Sequence, residues 1–217
     1  MSPRRVHIIR AGKSDAQLLL ELEQLLFPED PWTEGMIREE LASPYSDYLL
    51  ALAPDEETRA EDDDPSQVRG SAQLDGPAPG FVGASTSCGE GSGSEQITHG
   101  GRQLESVGVR SESMTEAGGL VFGYGGIKTL GDSADIMTIG ILPQARRTGL
   151  GRMLVKALLE EAGRRGARTV FLEVRESNAG ARVLYTSEGF REVGRIRRYF
   201  HNPLEDAITM LKELESN

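Results

Sequence analysis

Residues 135–152 read DIMTIGILPQARRTGLGR, and the order of their parts decides the fold. A short apolar run, Ile136 to Leu142, meets Pro143 and then a basic turn punctuated by Gly149 and Gly151. Beyond the turn, Leu150, Met153, Leu154, Ala157 and Leu158 recur at helical spacing. Strand, basic turn and helix in this order aim free backbone N–H groups and the positive end of a helix at one point. Such a point suits a phosphate or pyrophosphate. Gly149 and Gly151 allow close approach of the backbone, while Arg146, Arg147 and Arg152 add positive charge around it.

Working outward, the strand predicted at 135–142 is preceded by another at 120–128, with Gly131-Asp132 as the hairpin signal between them. After the helix, predicted from about 149 to 162, Thr169–Val174 alternates. Val170, Leu172 and Val174 take one face, with Phe171 and Glu173 on the other. A helix over 179–187 ends at Gly189, and two strands near 191–200 and 206–211 close the chain. Toward the N-terminus, a strand at 6–10 leads through Ser14-Asp15-Ala16-Gln17, which fits a capping box, into a helix with Leu18, Leu22, Leu25 and Leu26 on one face. The turn Phe27-Pro28-Glu29-Asp30-Pro31-Trp32, a second helix over 33–41 and a strand over 47–52 follow. The expectation is an α/β fold: one mixed central β-sheet flanked by helices.

One stretch departs from this pattern. Residues 54–118 are rich in Gly, Ser, Asp and Glu, with EDDD at 61–64 and GEGSGSE at 89–95. A connection of that length is read as a disordered acidic insertion, either an entropic bristle or a partner-binding tail, within a domain formed by 1–53 and 119–217. The chain has a formal net charge of -10, and the insertion alone contributes roughly −9 of it. The remainder is close to neutral, which does not favour nucleic acid as the main ligand.

A single cysteine, Cys88, excludes an internal disulfide framework and a cysteine-based zinc cluster, and His7, His99 and His201 are too scattered to suggest a metal site. No apolar run approaches a membrane span, and the apolar residues after Arg4-Arg5 are too few for a signal peptide. A soluble cytoplasmic protein with no membrane contact is expected.

Several of these residues resemble a known family. Arg146-Arg147-Thr148-Gly149-Leu150-Gly151 fits the Q/R-x-x-G-x-G/A loop of the GNAT N-acetyltransferases. Leu172-Glu173-Val174-Arg175, Ser177-Asn178-Ala179 and Leu184-Tyr185-x-x-x-Gly189-Phe190 are similar to the bacterial branch that acetylates the N-terminal alanine of ribosomal protein S18. The Trp32 turn and Asp206-Ala207 fit that branch too, over residues 4–53 and 119–214. Three positions depart from it. Leu142 stands where Asp is usual, Gly140 where Ala is usual, and Phe200 where the second of two tyrosines is frequent.

The resemblance implies acetyl-CoA as cosubstrate. Its pyrophosphate would lie on Arg146, Arg147, Thr148, Gly149, Leu150, Gly151 and Arg152, and its pantetheine arm along the backbone of Ile139, Gly140 and Ile141 and on Asn178. It also implies Glu173 as general base and Tyr185 as general acid, with no metal. The partner implied is the S18 N-terminus or a similar peptide, flanked by Trp32 and Tyr199-Phe200. Read without the family, Glu173 is a strand carboxylate beside Arg175, Tyr185 a half-buried helix aromatic, and Trp32 a core or boundary aromatic. Arg195, Arg197 and Arg198 form a solvated strand face, or meet an acidic peptide or ribosomal RNA. Two other functions stay open. One is an acetyltransferase for a lysine side chain, a small amine or a broader set of N-termini; the other is a non-catalytic acetyl-CoA-binding module. Oligomeric state is not legible.

Overall fold

The computed structural model describes residues 6–53 and 120–215; the insertion expected at 54–118 lies outside the described residues. In chain order the elements are β1 (His7–Arg10), α1 (Ala16–Leu26), α2 (Glu34–Ala42), β2 (Ser46–Ala53), β3 (Leu120–Leu130), β4 (Ser133–Ile141), α3 (Leu150–Arg164), β5 (Thr169–Arg175), α4 (Ala179–Ser187), β6 (Arg191–His201) and β7 (Leu204–Glu213). The strands form one seven-stranded sheet in the order β1-β2-β3-β4-β5-β7-β6. Every pairing is antiparallel except β4 with β5. A parallel pair requires a crossover, and α3 supplies it. Strands β2 and β3 pair directly from Ser46↔Lys128 to Ala53↔Leu120, so the segments on either side of 54–119 share one sheet.

Alternation along β2 separates two cores. Leu49, Ala51 and Ala53 face the larger one with Leu154, Val155 and Leu158 of α3; Tyr48, Leu50 and Leu52 face α1 and α2. Full burial of Leu154 and Leu158 stabilises the α3 packing by roughly 1.5–3 kcal/mol each. Opposite the Gly149 end of α3, a buried ionic cluster fixes the other end. Glu161 and Asp47, both 2% exposed, are held by Arg10, Arg164 and Arg165, with Arg165 Nη2 donating to Asp47 Oδ1 at 2.8 Å.

Two local expectations are corrected. Ser14 does not cap the first helix. A short 3-10 turn over Lys13–Asp15 precedes α1, and the Asp15 carboxylate accepts the Gly12 N–H at 2.7 Å. The carboxylate reaches back across the turn, which a serine hydroxyl one residue earlier is too short to do. On α1, Leu18, Leu19, Leu22 and Glu23 are buried while Leu25 is 57% exposed, because the face that meets the sheet is rotated toward Leu19.

Candidate active site

The parallel β4–β5 ladder runs only from Ser133↔Thr169 to Ile136↔Leu172. Beyond it, β4 continues beside β3 to Ile141 and β5 continues beside β7 to Arg175. The two strands therefore part, and an opening lies between residues 137–141 and 173–175. The register also shifts at Gly126/Ile127, with Met137 as the extra residue on β4.

Backbone direction decides which groups face this opening. The Leu142 N–H donates to the Phe122 carbonyl at 2.9 Å, so Leu142 bonds to β3, and so does Gly140 by the two-residue alternation of an antiparallel ladder. Ile139 and Ile141 then turn their N–H and C=O groups the other way, toward the side that β5 has left. Gly140, expected to pair with the pantetheine through its backbone, instead directs those groups into β3. Its contribution is shape. A Cβ there would stand 2.6 Å from Leu26 Cδ1 and 3.2 Å from Tyr124 Cε1.

The basic turn closes one end of the opening. Gly149 caps α3 in the left-handed region at φ 92°, and Arg147 is also left-handed at φ 66°. Thr148 Oγ1 donates to the Ala145 carbonyl at 2.7 Å and holds the turn. Leu150 sends its side chain into the core, so only its backbone serves the turn. Gly151 lies against Leu184 and Ile141; a Cβ would meet Leu184 Cδ2 at 3.3 Å. The three arginines have separate fates. Arg146 Nε donates to the Ile141 carbonyl at 3.0 Å, across the mouth of the opening. Arg152 is engaged with α4, its Nε 2.8 Å from Glu188 Oε1 and its Nη2 donating to Ser187 Oγ at 3.1 Å. Arg152, expected to add positive charge at the turn, is thus paired there, and a paired guanidinium contributes less. Arg147 has no hydrogen bond or ion pair among the described residues, and its charge is available.

Glu173 and Tyr185 stand on opposite faces of the sheet. Val170, Leu172 and Val174 enter the core beneath α3 and α4, so Glu173 faces the α1–α2 side. Burial raises the Glu173 carboxyl above its ordinary pKa and the charge of Asp135 raises it further, while a hydrogen bond from Thr209 opposes both. Tyr185 is buried on the α4 side, edge-on to Phe190 with ring centroids 5.9 Å apart, and burial pushes its phenol up to about 12. No hydrogen bond to its hydroxyl exists among the described residues. Asn178 caps α4, its Oδ1 accepting the Ala181 N–H at 3.1 Å, which leaves its amide N–H groups for a ligand.

On the Glu173 face, two segments distant in sequence meet. Asn202 Nδ2, at the β6–β7 turn, donates to the Glu29 carbonyl in the α1–α2 loop at 2.9 Å. The buried Glu23 anchors that loop by accepting the Trp32 N–H at 3.3 Å and the Tyr124 hydroxyl. Phe200 lies under the Arg175 guanidinium, 4.2 Å from ring centroid to Cζ, and Tyr199 stands edge-on to Phe200 at 5.0 Å. The Trp32 loop and Tyr199-Phe200 thus border the same side of the opening as Glu173. Asp135, Thr209, Glu23 and Asn202 were missed from sequence. Only Glu23, an acidic residue on the apolar face of α1, carried a local signal.

The sheet thus parts beside a basic helix start, with the Glu173 carboxylate on one side and the Tyr185 phenol on the other. The GNAT acetyltransferase family model matches residues 99–190. Over 206 residues the chain is 31% identical to the N-alpha-acetyltransferase RimI of Mycobacterium tuberculosis, covering 93% of this chain and 88% of that protein. It is 46% identical over 81 residues to the ribosomal protein bS18-alanine N-acetyltransferase of Salmonella typhimurium, a match spanning 36% of this chain and 55% of that one. The crystal structure of the ribosomal-protein-S18-alanine N-acetyltransferase from Escherichia coli superposes with a TM-score of 0.61 at 20% identity, over 97% of this chain and 95% of that one. The chain belongs to the GNAT acetyltransferase family. Its chemistry is acetyl transfer from acetyl-CoA. Among the described residues, no helix is long and apolar enough to cross a membrane, and no group of three or more His, Cys, Asp or Glu is placed to hold a metal.

Proposed function

We propose that this chain acetylates the N-terminal α-amine of a protein, and that the N-terminal alanine of ribosomal protein S18 is its substrate in the cytoplasm. The observation that carries the reading is the parted β4–β5 pair, with Glu173 facing the α1–α2 side and Tyr185 the α4 side. The residues around the opening fit acetyl-CoA. Among the described residues no side chain caps the first N–H groups of α3, Gly151 packs closely against Leu184 and Ile141, and the Ile139 backbone and the Ile141 N–H face the side an extended arm would take. Acetyl-CoA supplies the acetyl group as a thioester.

The protein's part in the reaction follows from its two faces. Glu173 takes a proton from the α-ammonium, directly or through one water, and frees the nitrogen lone pair for attack on the acetyl carbon. A demand on an amine of pKa ~8 is modest for a carboxylate raised by burial. The Ile141 N–H, fixed by the strand, faces the carbonyl oxygen as negative charge grows on it. As the carbon–sulfur bond breaks, Tyr185 gives its proton to the sulfur. A phenol with a pKa of about 12 stays protonated throughout the working range.

Arg147, which pairs with no described residue, is assigned to the pyrophosphate. Arg147→Ala is expected to raise the acetyl-CoA dissociation constant about tenfold by calorimetry, the scale of one charged hydrogen bond. Arg152→Ala is expected to do less, because Arg152 already pairs with Glu188. Equal losses in the two variants would remove the distinction.

Mass spectrometry of S18 from cells lacking this gene tests the substrate. An unacetylated N-terminal alanine supports the assignment; S18 that stays acetylated overturns it. A panel of N-terminal, lysine-containing and small amine acceptors, assayed with acetyl-CoA, separates the remaining enzyme readings. Acetyl-CoA binding without turnover on any acceptor would favour a binding module.

A further inference from the structure

We propose that Asp206 is a positioning residue for the acceptor side of the reaction, holding a three-residue bulge in β6 that seats Phe200 under Arg175 with Tyr199 packed against it. The register runs Arg195↔Ile208, Ile196↔Ala207 and then Phe200↔Glu205. Arg197, Arg198 and Tyr199 therefore face the single residue Asp206. A bulge of this size in an edge strand re-aims the side chains that follow it. Its centre is Arg198, in the left-handed region at φ 54°, which an L side chain opposes and which needs outside support.

Asp206 supplies that support with both oxygens. Oδ1 accepts the Arg198 N–H at 2.8 Å, and Oδ2 accepts Arg195 Nε–H at 2.8 Å. Arg195 Nη2 in turn donates to Glu176 Oε2 at 2.6 Å, in the segment just after β5. The Arg198 N–H and the Arg195 guanidinium hold the Asp206 carboxyl below its ordinary range, so it is ionised whenever Glu173 is. The consequence appears on the next two residues. Phe200 is seated under Arg175, which lies two positions from Glu173 on the same face of β5, and Tyr199 stands against Phe200. Burial raises the Tyr199 phenol, and the charges of Glu173 and Asp135 raise it further. Without the bulge, regular pairing would set Arg197 opposite Asp206 and carry Tyr199 past the end of this row.

This inference rests on Glu173 marking the acceptor side, and its test does not need S18. Kinetics are measured on the S18 N-terminal peptide, or on whichever peptide of the panel the wild type acetylates. Failure of the substrate assignment then appears as no wild-type turnover on S18, while the variant ratios stay readable. Asp206→Ala is expected to raise the peptide KM about five- to tenfold, the scale of one hydrogen bond, with the acetyl-CoA KM within about twofold. Asp206→Asn keeps an oxygen for the Arg198 N–H and should return the peptide KM to within about twofold of wild type. Joined to Tyr199→Ala, Asp206→Ala should add far less than it costs the wild type, because both act on the same Tyr199–Phe200 pair. If Asp206→Ala does not fold, Asp206→Glu carries the test; it keeps the charge but displaces the carboxylate from the Arg198 N–H, and the same rise is expected. A wild-type peptide KM in the Ala or Glu variant, or effects that multiply with Tyr199→Ala, would overturn the proposal.

Discussion

Glu173→Gln is expected to lower kcat about 10²–10⁴-fold at neutral pH while acetyl-CoA binding stays within about twofold of wild type. The carboxamide keeps the shape and the hydrogen bond from Thr209 but accepts no proton. The loss should shrink as pH rises past ~8, where the α-amine is already neutral in solution and needs no base. A wild-type enzyme that depends on Glu173 should also lose kcat/KM in acid. Burial and Asp135 raise this carboxyl, so its ionised, active form disappears at a pH above the ordinary carboxylate range. The sign is testable. Replacing Thr209 with Val removes the one bond that lowers the Glu173 pKa, and the acid limb should move to still higher pH. Wild-type turnover by Glu173→Gln at pH 7 would sink the base assignment.

Tyr185→Phe is the second large effect expected, a fall in kcat of about 10²-fold with the acetyl-CoA KM unchanged. The ring stays, and with it the edge contact to Phe190. Because the hydroxyl bonds to no described residue, the change in stability should remain below about 1 kcal/mol. The diagnostic is the leaving group. A thiol of lower pKa departs without help, so an acetyl donor built on such a thiol should restore the variant far more than it speeds the wild type. An equal gain in both enzymes would assign Tyr185 a packing role only.

The two residues illustrate how differently the site could be read in advance. Glu173 and Tyr185 stand out in the sequence only through the family resemblance; taken alone, each has an ordinary structural explanation. Their placement on opposite faces follows from where β5 and α4 pack. Alternation around Glu173 was readable, since Val170, Leu172 and Val174 are apolar. The parting of β4 from β5 was not, because nothing in Met137–Ile141 distinguishes a strand with one neighbour from a strand with two. Arg152 appeared as one more cation of the turn, and only the arrival of α4 gave it Glu188 as a partner.

The sequence by itself determined the local pieces. Pro143, Gly149 and the helical spacing after it make residues 135–152 a strand, turn and helix. Asn178 and Gly189 bound a nine-residue helix, and Gly131-Asp132 turns a hairpin. Each depends on the conformational limits of a few adjacent residues. The tertiary structure alone decided the order β5-β7-β6, the meeting of Asn202 with Glu29, the anchoring of Trp32 by Glu23, and the hold of Asp206 on the bulge at Arg198. These depend on which surfaces become neighbours across up to 173 positions of chain. Periodicity reports the face an element buries, not the element it buries that face against.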